Sequence, residues 1–302
     1  MTLPAGLPEG QDLRSFATAD GRTIHCIVDL TADADAPLLV FHHGTPAAGP
    51  MSPALLAAAH AAGFRLVELV RPGYGPTERA PGRTVASNTL LTRALVAHLG
   101  GGPFASCGWS GGGPHTLADA ALIDDCVGSV CIAGVGPFDA PDLDFLAGMG
   151  QDNLDEFGAA SDPAALETYL TATAAGLRGG DADTMRREMA SLLPPADLAF
   201  LDDATAANLA ESIAWSVSHG IWGWFDDDIA FTNPWGFDPS AIRVPVTLLQ
   251  GADDLMVPFA HGQWLAARMP HARAILEQGE GHLSIVGRYL TDAMLGLRAH
   301  LQ

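Results

Sequence analysis

The chain has 302 residues, 48% of them apolar and 17% charged, so it can bury a sizeable core and is not a disordered chain. Its 35 acidic residues against 15 basic ones give a net charge of −20, which argues against nucleic acids and membrane surfaces as partners. Every basic residue is an arginine. The absence of lysine excludes Schiff-base enzymes, pyridoxal-phosphate enzymes and P-loop nucleotide hydrolases, because each needs a lysine amine.

The first 137 residues alternate between strand-like and helix-like segments. Short β-branched or continuously apolar runs predict strands at Thr23–Asp29, 37–41, 64–70, 104–108 and 128–134. Apolar residues at helical spacing predict helices at 53–62, 87–99 and 114–123. Strands separated by helices of about ten residues imply right-handed βαβ units in a mostly parallel sheet.

The character of the sequence changes after Pro137. Residues 138–240 contain 19 acidic residues against three arginines and four of the six tryptophans. They show few strand candidates, and helices are predicted at Pro163–Leu177, 183–193 and 205–229. The strand-and-helix pattern then returns, with strands at 246–250 and 272–277 and helices at 261–269 and 283–300. The sequence therefore predicts an α/β core of residues 1–137 and 241–302, interrupted by an all-helical cap at residues 138–240.

The strongest chemical signal is a G-x-S-x-G pattern, GWSGG at residues 108–112, between a short apolar strand and a helix. A serine on so sharp a turn needs a strained backbone and small neighbours, and the following helix offers N–H groups to negative charge. The pattern predicts that Ser110 is a nucleophile. The alternative is a glycine-rich turn that only permits close packing.

A serine nucleophile needs a base, and the base needs an acid that orients it. His282 follows the last predicted strand and Asp254 follows the strand before it, so the order along the chain is serine, aspartate, histidine. Because the carboxyl ends of parallel strands share one edge of the sheet, these residues can meet. The turn after the strand at 37–41 completes the site, and we expect the N–H groups of Thr45 and Gly111 to receive the oxyanion.

Five motifs occur together in one order: HGTP at 43–46, RPGYG at 71–75, GWSGG at 108–112, GADDLMVP at 251–258 and GEGH at 279–282. With them the chain resembles the α/β-hydrolase superfamily over nearly its whole length, near its esterase and proline iminopeptidase-like branches. The resemblance implies a mainly parallel eight-stranded sheet with a helical cap after the sixth strand. It assigns the orienting acid to Asp254, with Asp253 or Asp139 as alternatives.

Two departures narrow this resemblance. The proline iminopeptidase branch is expected to show HGGPG where this chain has HGTPA, which weakens an assignment to that branch. A serine at the elbow, where haloalkane dehalogenases and epoxide hydrolases have an aspartate, argues against both of those activities.

Other residues around the motifs carry weaker predictions. His43 is expected to brace its turn rather than to move protons, and the run 226–228, three aspartates, is expected to be a solvated helix end. Four tryptophans are candidates for lining a substrate pocket, although those in the cap could equally form its seam with the core. They are Trp109, Trp215, Trp222 and Trp224.

The sequence therefore predicts a serine hydrolase that cleaves a small to medium carboxylic ester, or an amide, through an acyl-enzyme on Ser110. No signal peptide is visible in residues 1–10 and the cysteines are scattered, so we expect a cytoplasmic protein. No metal or dinucleotide motif is found, so we expect a small-molecule substrate and no cofactor. The oligomeric state does not follow from the sequence. Two alternatives stay open: an aminopeptidase of the proline iminopeptidase type, and a ligand-binding sensor on the same fold with slow or no turnover.

Overall fold

The computed structural model describes residues 7–178 and 181–301, and part of the prediction made on residues 1–10 therefore lies outside the described residues. Within them, eight strands form a single sheet. The strands are β1 (Gln11–Ala17), β2 (Thr23–Asp29), β3 (Leu38–His42), β4 (Arg65–Val70), β5 (Phe104–Trp109), β6 (Cys126–Ile132), β7 (Val246–Gly251) and β8 (Arg273–Glu277).

The sheet has the strand order β1-β2-β4-β3-β5-β6-β7-β8. Strand β2 runs antiparallel to β1 and β4, and the remaining pairings are parallel. The carboxyl ends of β3 and β5 to β8 therefore lie along one edge, where the loops that carry Ser110, Asp254 and His282 begin. The predicted mostly parallel, eight-stranded α/β sheet is confirmed.

Eleven α-helices accompany the sheet in the part of the chain that the structure describes, and none of them is long and apolar enough to cross a bilayer. They are α1 (Pro53–Ala61), α2 (Thr89–His98), α3 (Gly113–Leu122), α4 (Gln151–Ala159), α5 (Pro163–Leu177), α6 (Ala182–Glu188), α7 (Pro195–Phe200), α8 (Asp203–Ser216), α9 (Trp222–Thr232), α10 (Phe259–Arg268) and α11 (Ser284–Arg298). Short 3₁₀ turns lie at Ala86–Asn88, Ser110–Gly112, Ala190–Leu192, Pro239–Ala241 and Ala299–Leu301.

The sheet is covered on both faces. Helices α1 and α11 pack on one face, and α2, α3 and α10 pack on the other. Strand β3 shows why its sequence is continuously apolar: Leu39 and Phe41 join the first of these cores, whereas Leu38 and Val40 point into the second. All of the strand is buried, so neither face tolerates the polar alternation of an exposed strand.

Two differences from the predicted elements have physical causes. The sequence pattern does not indicate β1, because this edge strand buries only Phe16 fully and exposes the apolar Leu13 as well as polar residues, which removes a regular apolar alternation. The prediction of a single helix at 205–229 is wrong. The chain instead forms α8 and α9, separated by a turn at Gly220, whose φ of 126° an ordinary side chain rarely adopts.

The segment between β6 and β7 contains helices α4 to α9, and the bounds of the cap at residues 138–240 stay a prediction.

The tryptophans of this segment contact the core in different ways. Trp215 is buried, and its ring lies so close to Gly49 and Gly75 that a side chain at either glycine would press against it. Trp222 is only half-buried and stacks on the guanidinium of Arg79, 3.9 Å from the ring centroid. Trp215 therefore forms part of a tight seam.

We expect Trp215→Ala to lower the free energy of unfolding by about 3–5 kcal/mol, because it leaves a cavity between α8 and the turns at Gly49 and Gly75. Chemical denaturation measures this loss. The matched control is Trp222→Ala, which removes a half-buried ring and should cost clearly less. Equal losses in the two variants would contradict the seam.

Candidate active site

The first part of the site is the turn between β5 and α3. Ser110 has a positive φ of 56°, a conformation that costs energy for a residue with a side chain. A Cβ on Gly108 would collide with the carbonyl oxygen of Gly112, and a Cβ on Gly112 would collide with that of His42. The glycines of GWSGG are therefore required by the tight turn, which places the Ser110 hydroxyl at the start of a helix.

The second part is a buried histidine and aspartate pair. His282 precedes α11, and its Nδ1 donates a hydrogen bond of 2.8 Å to Oδ2 of Asp254. The other carboxylate oxygen of Asp254 accepts the backbone N–H groups of Met256 and Val257, at 2.8 Å each. The Asp254 carboxylate is therefore fixed by its own loop, and it in turn holds the imidazole with the proton on Nδ1.

The second ring nitrogen of His282 is the one available for chemistry. Nε2 is buried and has no hydrogen-bond partner among the described residues, so it makes no bond to the Ser110 hydroxyl in this structure. The ring of Trp109, the residue immediately before Ser110, lies next to the imidazole, with 5.2 Å between the two ring centroids. Catalytic hydrogen bonds often tighten only when substrate binds.

The structure separates the three candidate acids. Asp254 is buried against His282, whereas Asp253 and Asp139 are exposed and make no hydrogen bond to this histidine within the described residues. Of the three, only Asp254 is placed to orient the imidazole.

A fourth residue, which the sequence did not indicate, holds the histidine loop. Asp197, on the short cap helix α7, is fully buried and accepts the backbone N–H groups of His282, Leu283 and Ser284, each at 2.9 Å. It thereby satisfies N–H groups at the start of α11. No sequence signal links Asp197 to a loop 85 residues downstream, so only the fold could reveal this contact.

These carboxylates set the proton affinity of the histidine. Burial by itself would lower the pKa of His282, but the charge and hydrogen bond of Asp254, followed by the charge of Asp197, raise it above the ordinary value of 6.5. A carboxylate contributed by the cap therefore acts on the imidazole of His282.

A cavity of about 280 Å³ opens in front of Ser110, and Thr45 and Gly111 line it beside the serine. A Cβ on Gly111 would collide with the Thr45 hydroxyl, so the segments that carry the two proposed oxyanion donors touch each other.

Of the candidate pocket tryptophans, Trp224 lines this cavity, and Trp109 lines a second, mostly apolar cavity of about 330 Å³. Trp215 and Trp222 line neither cavity.

The loop that carries Thr45 is anchored by one cap carboxylate. Asp227 on α9 is fully buried and contacts Arg71 at 2.7 Å and Arg83 at 2.6 Å, and it accepts the hydroxyls of Thr45 and Tyr74, each at 2.7 Å. Burial alone would raise the pKa of Asp227, but the two arginines hold it well below the usual range. The prediction that residues 226–228 form a solvated helix end is wrong, because all three aspartates are buried.

Arg71 extends this anchor to the backbone of the same loop. Its guanidinium donates to the carbonyl oxygens of His43, at 2.5 Å, and Gly44, at 3.0 Å. His43 donates from Nδ1 to the Gly44 carbonyl at 2.7 Å and accepts the Arg71 N–H at Nε2. Both ring nitrogens are thus occupied, so His43 braces the turn as predicted.

In residues 7–178 and 181–301 no three His, Cys, Asp or Glu side chains are grouped as ligands of a metal ion.

Comparison with known proteins gives a family and several relatives. The family model described as alpha/beta hydrolase fold matches residues 37–289. Over 264 residues the chain is 28% identical to a pimeloyl-[acyl-carrier protein] methyl ester esterase from Aromatoleum aromaticum, covering 82% of this chain and 91% of that protein.

Solved structures resemble the chain over almost its full length. An enol-lactonase from Burkholderia xenovorans LB400 is similar with a TM-score of 0.64 and 21% identity, covering 95% of this chain and 100% of that one. Epoxide hydrolase A from Mycobacterium thermoresistibile is similar with a TM-score of 0.68 and 19% identity, covering 95% and 98%. These two likenesses show the fold alone, since the names already span two reactions.

We expect Asp227→Asn to lower the free energy of unfolding by about 3–5 kcal/mol, because two buried arginines lose their counter-charge. Chemical denaturation checks this value. Asp203→Asn makes the same change in an exposed ion pair with Arg186 and should cost at most about 1 kcal/mol. A loss for Asp227→Asn no larger than that of the control would refute the anchoring role.

We expect Asp197→Asn to lower the pKa of His282, because it removes a negative charge that favours the imidazolium ion. Nuclear magnetic resonance titration of the imidazole measures the shift, with the His282 signal assigned by its loss in His282→Asn. Asp253→Asn removes an exposed charge near the same loop and serves as the control. An unchanged pKa in Asp197→Asn would count against the proposed influence of the cap.

Proposed function

The chain belongs to the α/β-hydrolase family, and on that premise we propose that it is a serine hydrolase that cleaves small to medium carboxylic esters through an acyl-enzyme on Ser110. The observation that carries the proposal is the pairing of a strained, helix-start serine with a buried His282–Asp254 hydrogen bond at the same sheet edge. The esterase name of the relative from Aromatoleum aromaticum supports the ester class.

In this proposal the chemistry follows from the positions of three side chains. The Ser110 oxygen attacks the acyl carbon while Nε2 of His282 takes the hydroxyl proton, and the C–O bond to the leaving alcohol breaks as His282 returns that proton to it. Asp254 keeps the imidazole oriented and stabilises its charged form. Water then attacks the acyl-enzyme with His282 as base, which releases the acid and restores the serine.

The oxyanion of each tetrahedral intermediate needs two donors that are already in place. We assign this role to the N–H groups of Thr45 and Gly111, which line the cavity beside Ser110. Asp227 and Arg71 fix the Thr45 loop before substrate arrives, through the Thr45 hydroxyl and the carbonyls around it. A donor that does not have to reorganise stabilises the developing charge at the lowest energetic cost.

The cavity volume limits the substrate. About 280 Å³ lies near the lower end of typical small-molecule sites, which fits a small to medium ester better than a long-chain lipid. Trp109, which directly precedes Ser110 in the chain, lines the second, mostly apolar cavity together with Leu283, which follows His282.

We expect Ser110→Ala to abolish labelling by a fluorophosphonate and to lower kcat on short 4-nitrophenyl esters by at least about a thousandfold, because the nucleophile is lost. Ser161→Ala, an exposed serine of the cap, is the control and should retain both. Retained turnover in Ser110→Ala would end the proposal. A single stoichiometric acylation of the parent protein without further turnover would instead favour the ligand-binding sensor.

A further inference from the structure

The wall of the cavity in front of Ser110 is strongly acidic. No arginine lines the cavity, and none of its carboxyl groups takes part in an ion pair among the described residues. The five carboxyl groups are those of Asp152, Asp155, Glu156, Glu188 and Asp228. All five belong to the segment between β6 and β7, so they face the serine from the cap side.

Asp228 is the unusual member of this group. It has no exposed surface, and within the described residues no N–H or O–H group donates to its oxygens; its one hydrogen-bonding neighbour there is the carboxyl group of Glu156, so the pair can bond only by sharing a proton. Arg71 and Arg83 form their ion pairs with the neighbouring carboxylate of Asp227. An uncompensated buried carboxylate is strongly unfavourable, so this group needs either a proton or a cation close to it.

Glu156 lies beside Asp228 in the wall of the cavity. It is half-buried on α4, accepts the indole N–H of Trp224 at 2.7 Å and retains further acceptor positions. Tyr169 on α5, another lining residue, donates its hydroxyl to the Asp152 carbonyl at 2.8 Å and so brings no positive charge to the pair. Two carboxyl groups on different helices, α4 and α9, therefore converge on the cavity, and neither forms an ion pair within the described part of the chain.

We propose that Glu156 and Asp228 form a subsite for a protonated amine of the substrate, which therefore carries an ammonium group on its acyl part. The inference rests on the proposed hydrolase function, because it names the kind of ester that the same cavity accepts. Carboxylate oxygens accept the N–H groups of an ammonium ion, and its charge supplies the compensation that Asp228 lacks. Such a substrate is an aminoacyl ester or amide, the class to which the aminopeptidase alternative belongs.

The same pair links binding to protons. Burial raises the pKa of Glu156 to about 7, and burial, together with the charges of Glu156 and Asp227, raises that of Asp228 well above its usual range. The hydrogen bonds of Glu156 with Trp224 and Asp228 oppose the first shift and the charge of Asp152 adds to it, whereas the hydrogen bond with Glu156 adds to the second shift and Arg83 opposes it. Near neutral pH the empty pair thus holds a proton that an ammonium ion displaces. Ammonium affinity should therefore rise as pH increases through about 7, and binding should release protons.

The test measures binding without turnover, by calorimetry on Ser110→Ala protein. The probes are the methyl esters of glycine, β-alanine, 4-aminobutyrate and 6-aminohexanoate, which move the amine away from the carbonyl, and the corresponding esters without the amine. At least one amino ester should bind about tenfold or more tightly than its neutral counterpart, with proton release and a preference that grows between about pH 6 and pH 8. No preference at any chain length would overturn the subsite.

Variants locate the site. Glu156→Gln in the same background should remove most of the preference for the amino ester, whereas Glu167→Gln, the same change at an exposed position on α5, should preserve it. A preference that survives Glu156→Gln in a folded protein, checked by circular dichroism, would also overturn the subsite. Fluorophosphonate labelling of the parent protein keeps the two proposals apart: labelled Ser110 without amine preference refutes only the subsite, and unlabelled Ser110 refutes the hydrolase.

Discussion

The buried carboxylate of Asp227 is the interaction on which the arrangement of the site depends. It lies on a cap helix, yet its partners Arg71, Arg83, Tyr74 and Thr45 belong to loops of the α/β core. Removing any one partner would leave a charge or a polar group buried without compensation, which is costly in a low-dielectric interior. The loop that carries Thr45, the proposed oxyanion donor, is therefore held partly by α9.

The cap holds the other half of the site in a similar way. Asp197 accepts three consecutive N–H groups of the His282 loop, so a carboxylate from α7 fixes the backbone from which the imidazole projects. Asp254, from the core, then fixes the ring itself. The insertion is thus more than a cover over a finished site, because two of its aspartates position segments on which the proposed chemistry depends.

Neighbouring residues of one helical turn perform different tasks because their surroundings differ. Asp226 pairs with Arg79 near the surface, Asp227 pairs with two buried arginines, and Asp228 lies in the cavity wall against Glu156, without an ion-pair partner among the described residues. A charge that repeats along the sequence is distributed around a helix by about 100° per residue, so each carboxylate meets a different environment. The proposed ammonium subsite is a consequence of that division, since the arginines are all used by the first two aspartates.

The sequence by itself determined seven of the eight strands, the elbow and the order of Ser110, Asp254 and His282, because these features follow from local patterns: apolar runs, glycines at a tight turn and residues placed after strands. It could not choose among Asp254, Asp253 and Asp139 from spacing, or tell a solvated acidic run from a buried one. The roles of Asp197, Asp227 and Asp228 were decided by tertiary structure alone. Burial and ion pairing depend on segments that meet only in the folded chain, and no local pattern encodes which distant arginine or N–H group a carboxylate will reach.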